Sequence, residues 1–318
     1  MTVIHVSRMF RKTQIVLSAL LMTSIAGLSV ETAAADNLAS EHGDFFHLLN
    51  QKREDISLDY QYEPDFKEDG GPGKFDMNKF AVAGEVPLEI GSDQYFRIGG
   101  AYSARVYDFK EVRGASTSTD SNTLHAANVL AGLGSFVTKN LLVAGDATLG
   151  TYSDFDGGLE EEDFRIYGEA EAVYRVNPGA ELLAGLRWNE DFDDAPIYPI
   201  MGLRLLSEDG KLNISLTAPV ELRVGYSIHP DIELFGRVGV AGEEYRISSG
   251  SRENFKVHLQ ERRAGLGVNW WLGGHFKLGC EAGVSFGDEF KFKTESPGQF
   301  ENDLKPGGYL IANAGIAL

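Results

Sequence analysis

The chain has 318 residues, of which 47 are acidic and 29 are basic, and its formal net charge at neutral pH is -18. An acidic chain lacks the basic surface that nucleic-acid phosphates require, so we exclude nucleic acid as a partner. The single cysteine, Cys280, excludes both an intramolecular disulfide and a cysteine metal cluster.

The first 35 residues have the pattern of a targeting segment. Three basic residues among the first twelve precede an uncharged apolar run from Ile15 to Val30, and three consecutive alanines follow at positions 33–35. This order predicts a secretory signal peptide over residues 1–35, cleaved before Asp36. The alternative is an uncleaved membrane anchor, because the apolar run approaches the length of about 20 residues that a spanning helix needs.

Residues 36–55 follow without any strand-like alternation. They contain Phe45, Phe46, Leu48 and Leu49 among charged residues. We predict a short lead-in segment that precedes the folded part of the chain.

From Ile56 onward, apolar and polar residues alternate with a period of two, which is the pattern of a strand with one apolar and one wet face. Between Phe80 and Ile90, for example, Val82, Val86 and Leu88 share the apolar face. We count about fourteen such runs and almost no helical spacing.

The connections between these runs alternate in length. Short turns lie at residues 91–94, 138–140, 177–179, 207–210, 229–230 and 272–274. Longer polar links lie at residues 63–74, 110–123, 153–163, 191–197, 248–252 and 291–307. An up-and-down meander places all short turns at one end and all long links at the other, and both chain termini then fall at the short-turn end. The turn at Ala218-Pro219 breaks the rule, and merging the strands there gives twelve strands in place of fourteen.

This pattern predicts an all-β fold, an antiparallel up-and-down transmembrane β-barrel over residues 56–318. Strands of about 9 to 11 residues cross a bilayer, and lipid tolerates no open sheet edge. Aromatic residues near strand ends fit interfacial girdles, with core packing as the alternative: Tyr107, Tyr152, Trp188, Trp270, Trp271 and Tyr309. The competing fold is a secreted or periplasmic β-sandwich that binds a ligand, since its strands alternate too.

The last strand carries Leu310, Ala312, Ala314, Ile316 and Leu318 on one face. Here the sequence resembles outer-membrane β-barrel proteins, and it is most similar to uncharacterised, porin-like barrel families. The resemblance implies the outer membrane of a Gram-negative-type bacterium, contact with membrane lipid, recognition by the outer-membrane assembly machinery, and a periplasmic position for residues 36–55. The chain departs from the pattern by ending in leucine where an aromatic residue is usual.

The polar faces of the strands carry charges of both signs and are candidates to line a lumen. The candidate residues are Arg97, Arg105, Glu169, Glu171, Arg175, Arg187, Glu221, Arg223, Glu233, Arg237 and Glu281. They either surround a water-filled pore or form ion pairs between neighbouring strands that fill it. A barrel of around fourteen strands is wider than the ~8-strand barrels that side chains fill. We therefore predict a porin-like passive channel or a structural barrel.

The sequence contains none of the hydrolase, metalloprotease or P-loop motifs, so we predict no enzymatic activity, no cofactor and no structural metal site. A lipid hydrolase is the alternative, but His125 and Ser135 stand ten residues apart, roughly 33 Å along a strand. Acidic loops at residues 154–163 and 190–194 offer oxygen ligands to divalent cations such as Ca²⁺, although they lack EF-hand spacing.

Overall fold

The computed structural model describes residues 56–67, 69, 73–90, 93–110, 122–155, 158–189, 196–247, 255–286, 289–293 and 300–317. The predicted signal peptide (residues 1–35) and lead-in segment (residues 36–55) lie outside these ranges. Within them the chain is built of strands and one short 3-10 turn, Glu161–Asp163. No helix of the described part is long and apolar enough to cross a membrane.

The sixteen strands follow one another in a single sheet. They are β1 (Ile56–Lys67), β2 (Lys74–Glu89), β3 (Gln94–Lys110), β4 (Asn122–Thr138), β5 (Leu141–Ser153), β6 (Phe164–Asn177), β7 (Ala180–Trp188), β8 (Ile197–Leu206), β9 (Leu212–Ala218), β10 (Glu221–His229), β11 (Ile232–Ile247), β12 (Phe255–Leu272), β13 (Phe276–Ser285), β14 (Glu289–Lys293), β15 (Phe300–Asp303) and β16 (Gly307–Ile316).

Fourteen of these strands close into a barrel. Strands β1 to β13 pair antiparallel in sequence order, β13 pairs with β16, and β16 pairs with β1 to complete the circle. Glu221 of β10 lies opposite Thr217 of β9, so the short Ala218-Pro219 turn separates two strands. The predicted fourteen-strand antiparallel barrel is confirmed, and the twelve-strand count and the β-sandwich are wrong.

The predicted long link at residues 291–307 is wrong in one respect, because it contains β15 and most of β14. Strand β12 begins at Phe255, well beyond the last residue of β13 that pairs with it, Ser285 opposite Arg263. Strand β14 pairs with the otherwise uncovered start of β12, and β15 pairs with β14. The unpaired backbone groups of the long β12 edge account for this added hairpin.

The outer surface of the barrel is apolar. Val129, Leu133 and Val137 project from alternate positions of β4 and are exposed, and Leu182 and Leu186 do the same on β7. A soluble protein rarely exposes a continuous apolar surface of this extent. An outward apolar band is the surface that transmembrane barrels present to lipid.

Both described chain ends lie at the short-turn end. Ile56 of β1 pairs with Ile316 of β16, and the backbone N–H of Ala317 donates a 2.8 Å hydrogen bond to the carbonyl of His275 in the β12–β13 turn. We call this the turn end and the opposite side the loop end. This arrangement agrees with the order of loop lengths in the sequence.

Candidate functional site

The rim of the barrel at the loop end is uneven. Strand β9 ends at Ala218, opposite Met201, while β8 extends four residues further to Ile197. Strand β10 begins at Glu221, opposite Gly239, whereas β11 continues for eight more residues to Ile247, about 26 Å of extended chain. The wall is therefore low at β9 and β10 and high at the strands beside them. We call the loop-end edge of β9 and β10 the low rim.

The free upper part of β11 crosses to the other side of the barrel mouth. Arg246 pairs in parallel with Ser153 at the end of β5, and the N–H of Asp154 donates a 3.2 Å hydrogen bond to the carbonyl of Arg246. Strands β5 and β11 are otherwise separated by five intervening strands. Above the low rim, β1 to β5, β11 and β12 thus form a smaller enclosure, which we call the narrow extension.

Side chains fill the narrow extension, as expected for a barrel of roughly eight strands. Its interior holds fully buried Met77, Tyr107, Leu124 and Tyr245, and Tyr152 packs edge-on against Tyr245 at 5.6 Å between ring centroids. Of the aromatic residues predicted in girdles, Trp188 and Trp270 are exposed. The girdle prediction is wrong for four others, which are buried: Tyr107, Tyr152, Trp271 and Tyr309.

A balanced ionic network crosses the base of the narrow extension. Arg105 of β3 contacts Glu243 of β11 at 3.0 Å and Glu261 of β12 at 2.6 Å. Lys79 lies 3.1 Å from Glu243, and Arg263 lies 3.0 Å from Glu63 and also contacts Glu261. We call these six residues the Arg105 network. Because the contacts join strands that are not neighbours, they place Arg105 inside the barrel.

Sequence reasoning found only Arg105 among these six residues. A signal for Glu243 was present, since it continues the period-two face of β11 that carries Glu233 and Arg237. The pairing of the network was not accessible, because it depends on how far the upper part of β11 leans across the mouth.

A second ionic cluster attaches the end of β11 to the β5–β6 loop. Arg246 donates hydrogen bonds to Asp163 at 2.6 and 3.0 Å and to Glu160 at 3.0 Å, and Arg165 lies 2.8 Å from Glu244. Burial raises the pKa of Asp163, but the hydrogen bonds from Arg246 and from the Glu160 N–H outweigh this effect and hold that pKa below its ordinary value.

These contacts involve one of the two predicted acidic cation sites. In the loop at 154–163, Asp163 and Glu160 bind an arginine. The other loop, residues 190–194, lies outside the described residues. No group of three potential metal-ligating side chains occurs in the part of the chain that the structure describes.

Below the low rim, the lumen contains ion pairs that solvent can reach. Arg187 donates a 2.6 Å hydrogen bond to Glu169 directly across the β6–β7 pair. Arg223 and Glu233 lie 2.6 Å apart. Arg237 lies 2.8 Å from Glu281, and Arg204, which was not predicted, lies 3.7 Å from Glu181.

The remaining predicted lumen residues occupy different positions. Arg97 lies 2.8 Å from Asp146 and 3.5 Å from Glu85, Glu221 lies 3.8 Å from Arg237, and Glu171 is half-buried on β6. Arg175 sits at the turn end, where it donates a 3.0 Å hydrogen bond to the carbonyl of Lys139. Arg175 therefore lies at the turn-end opening of the barrel and not in the central lumen.

A cavity of about 430 Å³ opens on the side of the lumen formed by β10 to β13, β16, β1 and β2. Its charged and amide-bearing lining residues are Asp59, Gln61, Lys79, Arg223, Arg237, Asn269, Lys277, Glu281 and Asn313. The cavity therefore extends from the exposed ion pairs of β10 and β11 to Lys79, which belongs to the Arg105 network.

The opposite wall is apolar toward the turn end. Phe136, Leu142, Val173 and Leu183 lie side by side across β4 to β7. With Tyr95 and Ile200 they form a buried cluster that we call the inner apolar belt. The period-two pattern predicts apolar residues on the outer face only. The inner apolar belt shows that these strands are apolar on both faces near the turns.

The two residues considered for a hydrolase are far apart. His125 bonds the Tyr102 hydroxyl at 2.7 Å and stacks on Phe155 at 5.4 Å between ring centroids. Ser135 pairs with Gln94 at the other end of β4. The structure therefore does not bring His125 and Ser135 together.

The chain has distant similarity to solved outer-membrane proteins. An outer-membrane channel from Pseudomonas putida F1 is 12% identical, with a TM-score of 0.44, and the match covers 82% of this chain and 94% of that one. The KdgM porin is 9% identical, with a TM-score of 0.34, over 82% of this chain and 99% of that one. No curated protein matches the sequence. A family model described as a domain of unknown function matches residues 60–315.

Proposed function

The chain belongs to this family, DUF6268, and from the geometry of its barrel we propose that it is a porin-like channel for passive diffusion across an outer membrane. The observation that carries the proposal is a closed fourteen-strand barrel with an exposed apolar exterior and a charged interior that solvent reaches. Lipid can solvate the apolar exterior, and water can solvate the charged interior.

We propose a route that avoids the narrow extension. Arg105 and Glu63 are almost fully buried there, and Tyr107 and Tyr245 fill the space above them. A solute entering at the turn end passes the inner apolar belt and the exposed ion pairs. It leaves over the low rim at β9 and β10, where the wall is shortest.

The proposal includes no chemical step. The acidic and basic side chains of the lumen bind one another in ion pairs, which supports a role in lining a path for solutes. A lipid hydrolase would require an accessible nucleophile beside a histidine. Ser135 lies at the other end of β4 from His125, and Ser153, which pairs with His125 across β4 and β5, is fully buried and accepts a hydrogen bond from the N–H of Phe155. A structural barrel without conductance is the remaining alternative.

The location of the protein follows from the same proposal. Residues 1–35 direct export, the mature chain begins at Asp36, and residues 36–55 lie in the periplasm. Mass spectrometry of the protein purified from outer membranes tests the cleavage site. A mass that includes residues 1–35 contradicts it.

Single-channel recording tests the function. The full chain is expressed with its own leader, extracted from outer membranes and shown to be folded by its heat-dependent shift on a detergent gel. Addition to a planar bilayer should produce discrete conductance steps. If the folded protein inserts into liposomes but passes neither current nor small sugars, the channel proposal is contradicted and the structural barrel is the function that remains.

A further inference from the structure

Along one wall of the lumen, the arginines are more exposed than the carboxylates that they contact most closely, although the whole chain is strongly acidic. We propose that the channel selects anionic solutes, through four arginines on β7, β8, β10 and β11 that are each more exposed than the nearest carboxylate partner. This arginine face consists of Arg187, Arg204, Arg223 and Arg237. The inference rests on the proposed channel function and specifies its solute class.

Exposure separates the arginines from their partners. The exposed fractions of the Arg204 and Glu181 side chains are 26% and 1%, and those of Arg237 and Glu281 are 33% and 4%. Arg223 is 24% exposed against 11% for Glu233. Arg187 is 27% exposed against 19% for Glu169. At Arg204, Arg223 and Arg237 a solute in the lumen therefore meets the guanidinium group before the carboxylate, whereas Glu169 is nearly as accessible as Arg187.

The cavity beside this face has the same bias. Its charged lining residues are basic at Lys79, Arg223, Arg237 and Lys277 and acidic at Asp59 and Glu281. The amides of Gln61, Asn269 and Asn313 complete its polar lining. Glu221 is an exception to this bias, because it lies 3.8 Å from Arg237 at the rim end of β10 and is 39% exposed, against 33% for Arg237.

Guanidinium groups suit this role because they stay charged and bind carboxylate, phosphate or sulfate groups through two parallel hydrogen bonds. The net charge of -18 acts over a longer range and is screened by salt within about 8 to 10 Å. Near the lumen axis, the closest charges therefore determine which ions enter. Monovalent inorganic anions and small organic carboxylates both carry the chemistry that the arginine face recognises.

The test is the reversal potential of single channels in a potassium chloride gradient. We expect its sign to show preference for chloride. The double variant Arg223→Gln with Glu233→Gln leaves the net charge unchanged but removes one arginine from the face. A unit charge about 7 Å from a path through water alters the local concentration of a monovalent ion by about threefold. Because the partner charge offsets part of this, we expect the chloride preference to fall about twofold.

A matched control is available on the opposite wall. Arg97 and Asp146 are equally accessible, with 20% and 22% of their side chains exposed. The variant Arg97→Gln with Asp146→Asn removes one charge of each sign at nearly equal exposure. Glu85, which contacts Arg97 at 3.5 Å, is present in both the wild type and the variant, so the reversal potential should change much less than in the Arg223 variant. Millimolar citrate should also reduce the chloride current through the wild type, whereas glucose should not.

The outcomes separate the two proposals. Conductance with potassium preference, or equal shifts in both double variants, overturns the anion selectivity while leaving the channel intact. Folded protein without conductance overturns the channel itself. A detergent-gel shift equal to that of the wild type shows that each variant is folded.

Discussion

Replacing Arg105 by methionine should strongly destabilise the loop end of the barrel. Methionine retains much of the side-chain length but removes the charge that contacts Glu243 and Glu261 across the lumen. Arg105 is 2% exposed, so water cannot easily take its place. The variant leaves three carboxylates against two cations in the Arg105 network.

The magnitude follows from the partners that remain. Breaking a buried ion pair by removing one partner costs about 3 to 5 kcal/mol. Glu243 keeps Lys79 at 3.1 Å and Glu261 keeps its contact with Arg263, so neither carboxylate is left alone. We therefore expect the low end of that range, about 3 kcal/mol, or about a 150-fold change in the unfolding equilibrium.

Urea unfolding in detergent micelles, followed by tryptophan fluorescence, measures this loss. The control is Arg187→Met, which breaks an accessible ion pair and should cost about 1 kcal/mol or less. Adding Glu261→Gln to Arg105→Met restores the charge balance and should recover part of the stability. Equal losses in Arg105→Met and Arg187→Met would refute the view that burial of the network determines its contribution.

Three further predictions concern other parts of the barrel. The lowered pKa of Asp163 means that its ion pair stabilises the loop end above the ordinary aspartate pKa and that this stabilisation is lost as pH falls through the folded value. Asp163→Asn should therefore destabilise at pH 7, and its effect should diminish progressively as pH is lowered below the ordinary aspartate pKa in the same urea assay. Gly134→Ala would place a methyl group 2.3 Å from the Tyr95 ring and should cost about 1 to 3 kcal/mol, an effect that Tyr95→Leu should suppress. Inserting an eight-residue hairpin after Pro219 should raise the low rim and lower single-channel conductance, whereas the same insertion in the β6–β7 turn should not.

The barrel was predictable because its signals are local. Alternation along each strand assigns faces, and the lengths of successive connections assign ends, so the up-and-down topology follows without any knowledge of long-range contacts. The strand number follows except at the Ala218-Pro219 turn, where the sequence leaves twelve as the alternative to fourteen. Leu182 and Leu186 on β7, for example, are exposed as their spacing indicates. The β14–β15 hairpin was missed because its pairing depends on the unequal lengths of β12 and β13, which are set by strands on either side.

The candidate site was predictable only in part. Period-two alternation indicates which side chains face inward, but it contains no information on which of them meet across the lumen. Arg97 pairs with Asp146 two strands away, and Arg105 pairs with Glu243 and Glu261 across the barrel mouth. The burial of each charged group depends on these contacts between distant strands. The division into a filled narrow extension and an accessible lumen therefore cannot be predicted from the pattern within single strands.

The turn at Ala218-Pro219, which departs from the alternation of loop lengths, has the largest consequence for function. Because that turn is short, β10 does not follow β11 upward beyond Gly239, and the free part of β11 leans over to pair with β5. This contact narrows one side of the mouth enough for side chains to fill it, while the low rim stays open above the arginine face. Longer β9 and β10 strands would pair with the upper part of β11 and keep it from crossing to β5. Both the narrow extension and the low rim would then be lost. The asymmetry of the mouth, and with it the proposed solute route, therefore depends on one departure from a regular meander.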